Sequence, residues 1–282
     1  MTKLSIITIN RNNAAGLRKT MESVFSQTYR DFEYIVVDGA STDESVKVIK
    51  GLKSERVNEL KNFTWISEPD TGIYNAMNKG VRMCCGEYTL MLNSGDYLVD
   101  EHVIERIMPE LDGTDVVQGN NIEEREGVLY RDCGYCKSEI DFFDVMKGYF
   151  LHQASFCRRD LFDRFGYFDE NYRISGDTKF FMKCLGVGDA TYKYVNVDVA
   201  NYDMNGVSAG KSGAIKNEYS RVLSELFSGR MVKHFAENEK KIHLYNQLHK
   251  YKWIWCLTML LAKISILFGG EHDSVTMNKI KV

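Results

Sequence analysis

Three times between residues 3 and 83 a short β-branched or aromatic run gives way to a polar break and then to apolar residues at helical spacing, and a fourth run follows. Residues 3–9 (KLSIITI) are broken by Asn10-Arg11-Asn12-Asn13, after which Leu17, Met21, Val24 and Phe25 mark one face of a helix. Residues 32–37 end in Asp38-Gly39, and Thr42 or Asp43 can cap a helix over residues 45–52. Residues 63–67 stop at Pro69-Asp70-Thr71-Gly72, with Ile73, Met77, Gly80 and Val81 beyond. Residues 88–92 stop at Asn93-Ser94-Gly95-Asp96. Strands that alternate with helices in this way predict βαβ units and a parallel sheet covered on both faces.

The rhythm then changes. A helix over residues 101–111, a strand over 115–119 and a charged turn over 123–127 predict a hairpin in place of another βαβ unit. No Pro, Gly or Ser linker separates the halves, so they are expected to form one body, and the chain reads as helical from about Ala214 to its end. At 282 residues, 44% hydrophobic and 27% charged, the composition is that of a globular protein and excludes fibrous and disordered classes. With 36 Lys and Arg against 39 Asp and Glu, the charge of −3 argues against a nucleic-acid partner. Seven scattered cysteines make no disulfide framework and point to a reduced, cytoplasmic setting, and the N-terminus carries no signal-peptide core.

In an open α/β sheet, ligands bind outside the carboxyl ends of the strands. Asn10, Asp38, Asp70 and Asp96 each fall at or just beyond such an end, so four loops deliver polar or acidic groups to one crevice. Each taken singly is equally a strand terminator or a helix cap. The glycine signatures of dinucleotide and P-loop folds are absent. An acidic crevice that takes a diphosphate needs a divalent cation, Mg²⁺ or Mn²⁺, and Asp96 in its Gly-containing turn is the candidate ligand.

Ile6-Ile7-Thr8-Ile9-Asn10, Val36-Val37-Asp38-Gly39-Ala40-Ser41-Thr42-Asp43, Ser67-Glu68-Pro69-Asp70-Thr71-Gly72-Ile73-Tyr74, Asn78-Lys79-Gly80 and Leu92-Asn93-Ser94-Gly95-Asp96 resemble, in order and spacing, the inverting glycosyltransferases of family 2. His152-Gln153-Ala154-Ser155-Phe156, Ser175-Gly176-Asp177 and Gly206-Val207-Ser208 extend the resemblance, which covers roughly residues 3–210 and is nearest to the subgroup that builds bacterial O-antigens and other surface polysaccharides. It implies the GT-A fold: a Rossmann-like, mainly parallel mixed α/β sheet flanked by helices. Residues 1–212 would form the catalytic domain (1–97 nucleotide-binding, 98–212 acceptor and base), with a helical extension over 213–282.

The resemblance also implies roles. Thr8 and Asn10 would line the nucleotide pocket, Asp38 would accept donors of the base or ribose, and Asp70 would sit beside the diphosphate or sugar. Asn78, Asn93 and Ser94 join the nucleotide-sugar site, and His152 and Gln153 would touch the sugar or acceptor. Asn93-Ser94-Gly95-Asp96 stands where many members have an Asp-x-Asp-Asp run, which leaves Asp96 alone as metal-binding carboxylate. Asp177 is expected to be the general base, at the start of a helix marked by Phe180, Phe181, Cys184 and Leu185. The implied partners are a nucleotide-diphosphate sugar and a glycan or lipid-linked acceptor.

Competing readings stand beside these. Asp177 could be a plain helix cap, Asp169 or Glu170 could fill the acidic role, and His152 could be structural. The stretch 203–213 could close over the donor, yet Gly206-Val207-Ser208-Ala209-Gly210 also matches a serine-esterase elbow. A GT-A-like scaffold that binds nucleotide-sugar without turnover is another alternative. Cys133 and Cys136 read as two small buried thiols. Residues 253–268 (WIWCLTMLLAKISILF) are apolar but short for a bilayer span, and fit either a helix lying on the inner membrane surface or one packed on the protein or in a homodimer.

Overall fold

A computed structural model of the chain describes residues 2–56, 60, 62–204, 206 and 212–249. The repeated strand and helix pattern is realised as β1 (Leu4–Asn10), α1 (Ala14–Phe25), β2 (Glu33–Asp38), α2 (Ser45–Glu55), β3 (Asn62–Ser67), α3 (Ile73–Met83) and β4 (Tyr88–Met91). Beyond these come β5 (Tyr97–Leu98), α4 (Val103–Ile107), β6 (Val116–Arg125), β7 (Val128–Asp132), α5 (Phe142–Lys147), β8 (Ser155–Arg158), α6 (Asp160–Phe165), α7 (Gly176–Met182), β9 (Tyr192–Tyr202), α8 (Ser212–Leu226) and α9 (Gly229–His249).

Among the described residues the sheet runs β3-β2-β1-β4-β8-β6-β9-β5, with β7 paired to β6. The first four strands are parallel; β8 runs against β4 and β6, β9 runs with β6, and β5 runs against β9. The sheet is therefore mixed, with a parallel half and a woven half. The expected hairpin is present: Arg125 pairs with Val128, and Glu126 and Gly127 both take positive φ, 53° and 77°, which matches the twist of a two-residue turn to the strands it joins.

Alternation along β1 sorts the helices onto two faces. Leu4 and Ile6 join Leu17, Met21, Val24 and Phe25 of α1 in one core cluster. Ile7 points the other way, where a Cβ on Gly80 of α3 would lie 2.3 Å from its Cγ2. Aromatic rings build the α3 side farther along the sheet: Phe180 of α7 stacks on Phe162 at 4.6 Å and meets Phe168 at 5.0 Å.

The chain divides into two compact units, Met1–Phe227 and Ser228–Val282. The first runs past the expected boundary at residue 212 because α8 is fastened to the loop before α7. Glu218 accepts the amides of Arg173, Ile174 and Ser175 at 2.8–3.0 Å, and Glu225 takes Lys179 and the Tyr172 hydroxyl. Helix α9 forms the described part of the second unit. No described helix is long and apolar enough to cross a membrane, and residues 253–268 lie outside the described residues.

Candidate active site

The carboxyl ends of β1, β2, β3 and β4 open onto one sheet edge. Because β8 is antiparallel to β4, the single helical turn His152–Ala154 in front of it reaches that edge too, and so does Asp203 after β9. Asn10, Asp38, Asp70, Asn93, Ser94, Asp96, His152 and Asp177, drawn from distant parts of the sequence, are all tied to this edge by the contacts below.

At the ends of β1 and β2, Asp38 is fully enclosed and accepts four donors: Asn10 Nδ2, the Ser41 hydroxyl and amide, and the Ser67 hydroxyl, at 2.6–3.0 Å. Burial pushes its carboxyl up, but these bonds outweigh it and hold the group below the usual aspartate value. With its lone pairs filled, Asp38 locks three loops together, and a donor on a base or ribose would have to replace one of them. Asn10 Oδ1 is buried and has no hydrogen-bond partner among the described residues. Asp70 lies beside it: a Cβ on Gly39 would come within 2.0 Å of Asp70 Oδ2, and Arg11 reaches Asp70 Oδ1 at 3.5 Å.

The Asn93–Asp96 turn is pinned to α1. Thr20 Oγ1 takes the Gly95 amide at 3.0 Å and donates to the Asp96 carbonyl at 2.6 Å, while Asn13 Nδ2 donates to the Ser94 carbonyl. Gly95 has φ +112° and faces Asp203, a conformation and an approach that a side chain would obstruct. Asp96 is 5% exposed; one carboxylate oxygen accepts the Asp203 amide at 2.8 Å, and the other takes no hydrogen bond among the described residues. Burial is the main reason its carboxyl rises to about 6.

Asp177 stands at the start of α7, where Ser175 and not Asp177 is the capping position, so the plain-cap reading does not describe it. His152 Nδ1 meets Asp177 Oδ2 at 2.9 Å, and the Tyr74 hydroxyl shares its proton between Asp177 Oδ1 (3.0 Å) and the Ile174 carbonyl (2.5 Å). Burial alone would raise the Asp177 carboxyl; the His152 bond and charge, the Thr178 amide and the Tyr74 hydroxyl bring it below its ordinary value. Burial alone would lower His152, but Asp177 and the charge of Asp96 bring the imidazole above its ordinary value. Each group of the pair thus favours the charged form of the other. Asn93 Nδ2 lies 3.2 Å from His152 Nε2, and Asn93 Oδ1 is buried without a partner. Turning that amide over supplies the acceptor that a protonated Nε2 requires.

Other expected residues lie elsewhere. Thr8 is fully enclosed on the α1 side and takes the Tyr34 hydroxyl at 3.1 Å, so it belongs to the core and not to a pocket lining. Asn78, 1% exposed, ties α3 to the Phe168 backbone and to Glu170 with both ends of its amide, so both of its donors are used within the protein. Gln153 is 5% exposed at the entry to β8. Asp169 and Glu170 are committed to Lys179 and to Asn75 and Asn78. Cys133 is half-buried and Cys136 exposed, in contrast to the two buried thiols expected. Ser208 and most of the 203–213 stretch lie outside the described residues. The sequence assigns no role to Tyr74, Asp203 or Glu218 individually, since only contacts across 100, 107 and about 44 positions reveal what they do.

Among the described residues no group of three or more His, Cys, Asp and Glu is arranged to hold a metal. The Asp96 carboxylate nonetheless suits a cation held jointly with a phosphate: one oxygen has no donor among the described residues, and burial leaves its charge poorly solvated. Mg²⁺-like ions commonly take only one or two protein carboxylates when substrate phosphates complete the shell.

The sequence model of glycosyl transferase family 2 matches residues 5–162, more than half of the chain. An uncharacterized glycosyltransferase of Mycobacterium tuberculosis is 29% identical over 252 residues, which is 86% of this chain and 93% of that protein. A PGL/p-HBAD biosynthesis glycosyltransferase of Mycobacterium bovis is 31% identical over 204 residues, 71% of this chain and 76% of that one. Among solved structures, S. aureus TarS 1–349 in complex with UDP-GlcNAc superposes with TM-score 0.65 at 18% identity, covering 79% of this chain and 65% of that chain. The mannosyltransferase PcManGT from Pyrobaculum calidifontis, in complex with GDP-Man and Mn²⁺, gives 0.55 at 16% identity over 95% of this chain and 88% of that chain. Both share the fold of the mixed sheet described above, and the chain belongs to glycosyl transferase family 2.

Proposed function

We propose that this glycosyltransferase moves one sugar from a nucleotide-diphosphate sugar to a hydroxyl of a glycan or lipid-linked acceptor, with inversion, in the synthesis of a bacterial surface polysaccharide. The observation that carries the reading is the Tyr74–Asp177–His152 chain at the same sheet edge as Asp96 and the Asn10–Asp38 cluster. Asn10 Oδ1 offers an acceptor to the nucleotide, and Asp38 keeps that loop in shape. Asp96 would hold a divalent cation, Mg²⁺ or Mn²⁺, whose charge favours departure of the diphosphate when it is bound.

Asp177 takes the proton of the acceptor hydroxyl as that oxygen attacks the anomeric carbon from the side opposite the diphosphate. Inversion follows from this single displacement, so an α-linked donor gives a β-linked product. His152 and Tyr74 fix the carboxylate rotamer and keep it ionised. The complexes of TarS with UDP-GlcNAc and of PcManGT with GDP-Man and Mn²⁺ support a nucleotide-sugar donor and a cation, and the relative in PGL/p-HBAD biosynthesis supports a glycoconjugate product. A thermal-shift screen of nucleoside diphosphates with Mn²⁺ tests the donor site; stabilisation by none of them overturns the reading. Asp177→Asn should then lower transfer by a factor on the order of 10²–10⁴ while nucleotide affinity stays near the wild-type value.

A further inference from the structure

The β6–β7 hairpin extends beyond β8, past the sheet edge that carries the site, and its two faces are chemically unlike. Residues directly opposite in an antiparallel pair share a face. Asn121 pairs with Asp132 and Glu123 with Tyr130, so these four lie together, whereas Leu129 and Arg131 point to the other side. On the first face Arg125 bonds Glu123 and lies 5.6 Å from the centre of the Tyr130 ring, and the Tyr149 hydroxyl bonds Asp132. Tyr130 and Tyr149 are 49% and 50% exposed. Asn121 is 1% exposed, and its Oδ1 has no partner among the described residues.

This face adjoins the reaction centre. Tyr149 precedes His152 by three residues, and Gln118 Oε1 of β6 accepts the Leu151 amide beside it. Ring contacts lead from Tyr149 through Tyr135 and Phe150 to Phe181 of α7, the helix whose first turn carries Asp177.

We propose that this face is the acceptor subsite, and that its occupant is the neutral, hydroxyl-rich ring of the acceptor's terminal sugar. The assignment rests on the glycosyl-transfer reading above and names a surface for its second substrate. Two half-exposed tyrosines give flat apolar area at small entropic cost. Glu123, Asp132 and Arg125 supply acceptors and donors around the rings, and the unpartnered Asn121 oxygen requires a donor such as a sugar hydroxyl. A bare alkyl chain is disfavoured, since it would strip water from the Asp132 carboxylate and the Arg125 guanidinium without replacing their hydrogen bonds. A phosphate chain would meet two carboxylates for one arginine.

The experiment compares wild type, Tyr130→Ala, Asn121→Asp and Leu129→Ser. Calorimetry with UDP and GDP in the presence of Mn²⁺ reads the donor site. Saturation-transfer NMR on nucleotide-loaded protein reads a panel of methyl glycosides of glucose, galactose, mannose, rhamnose and N-acetylglucosamine, with octanol as the alkyl control. At least one glycoside is expected to bind wild type, with affinity reduced roughly fivefold or more in Tyr130→Ala and Asn121→Asp and unchanged in Leu129→Ser, which lies on the opposite face of the same strand. Binding of no glycoside, equal binding by all four proteins, equal loss in Leu129→Ser, or binding of octanol as strong as that of any glycoside each overturns the assignment. Loss of nucleotide binding by wild type instead removes the glycosyl-transfer reading itself.

Discussion

His152 Nδ1 and Asp177 Oδ2 are 2.9 Å apart although 25 positions separate them in sequence, and each favours the charged form of the other. Removing the imidazole takes away the largest force opposing burial of the carboxylate, so the Asp177 carboxyl must rise. An acid whose value rises loses its ionised form at a higher pH, which moves the acid limb of a base-catalysed reaction upward. In His152→Ala the acid limb of kcat should therefore shift to higher pH, with kcat reduced about tenfold at neutral pH and nucleotide affinity near that of wild type. A pH–rate profile checks this, and an unmoved limb would show that His152 does not tune Asp177.

Asp96 behaves in the opposite sense. Burial raises its folded value from 3.8 to about 6, so folding penalises the ionised form, and the penalty grows as pH rises from 3.8 through about 6. A cation binds only the carboxylate and must expel the proton below that point. Mn²⁺-dependent affinity for UDP should fall roughly tenfold per pH unit below about 6 and level off above it, while Asp96→Ala should bind UDP weakly with no such slope. Calorimetry across this range decides it, since an identical slope in the variant removes Asp96 from the cation's shell.

The fastening of α8 gives an acid-stability prediction. Lys179 bridges Asp169 at 2.6 Å and Glu225 at 2.5 Å. Burial works against Asp169 and is outweighed by Lys179, while for Glu225 the Lys179 bond is itself the main cause; both carboxyls lie at about 2. Folded values below the unfolded 3.8 and 4.5 mean that the stability they confer is complete above about 4.5 and is lost as pH falls through about 2. Hydrogen exchange should show the Arg173, Ile174 and Ser175 amides, held by Glu218, losing protection in that window, and Lys179→Met should lose it at higher pH. Equal protection in both proteins would count against the bridge.

The parallel half of the fold was legible because each of its strands is local: a buried run ending in a polar break declares both the element and the edge it points to. The sequence places this strand at residues 32–37 and it forms at Glu33–Asp38, a shift of one position. The woven half was mostly missed. β8 is four residues long and β5 two, too short for a period to show, and β9 mixes buried and half-exposed positions without clean alternation. The site divides in the same way. Asn10 and Asp96 stand out by their place at strand ends and Asp177 through the family resemblance, whereas Thr8 and Asn78 carry similar polar signals and are consumed by Tyr34 and by the Phe168 loop. Sequence order cannot say on which side of a strand a hydroxyl finds its partner.

Gly176 shows how closely Asp177 and its neighbours are fitted. A Cβ there would lie 2.7–2.8 Å from three atoms of the Tyr74 ring, which 3% exposure leaves little room to retreat. The ring must shift, and its hydroxyl then loses either Ile174 or Asp177. Overpacking of this kind typically costs about 1–3 kcal/mol. Gly176→Ala should accordingly lower thermal stability and lower kcat, with nucleotide affinity near wild type because the Asn10–Asp38 cluster is not touched. Tyr74→Phe separates the two effects: it keeps the ring and deletes the bond, so kcat should fall with only a small loss of stability. Wild-type kcat in Tyr74→Phe would mean that the hydroxyl does not position Asp177, and that the effect of Gly176→Ala on rate arises from strain alone.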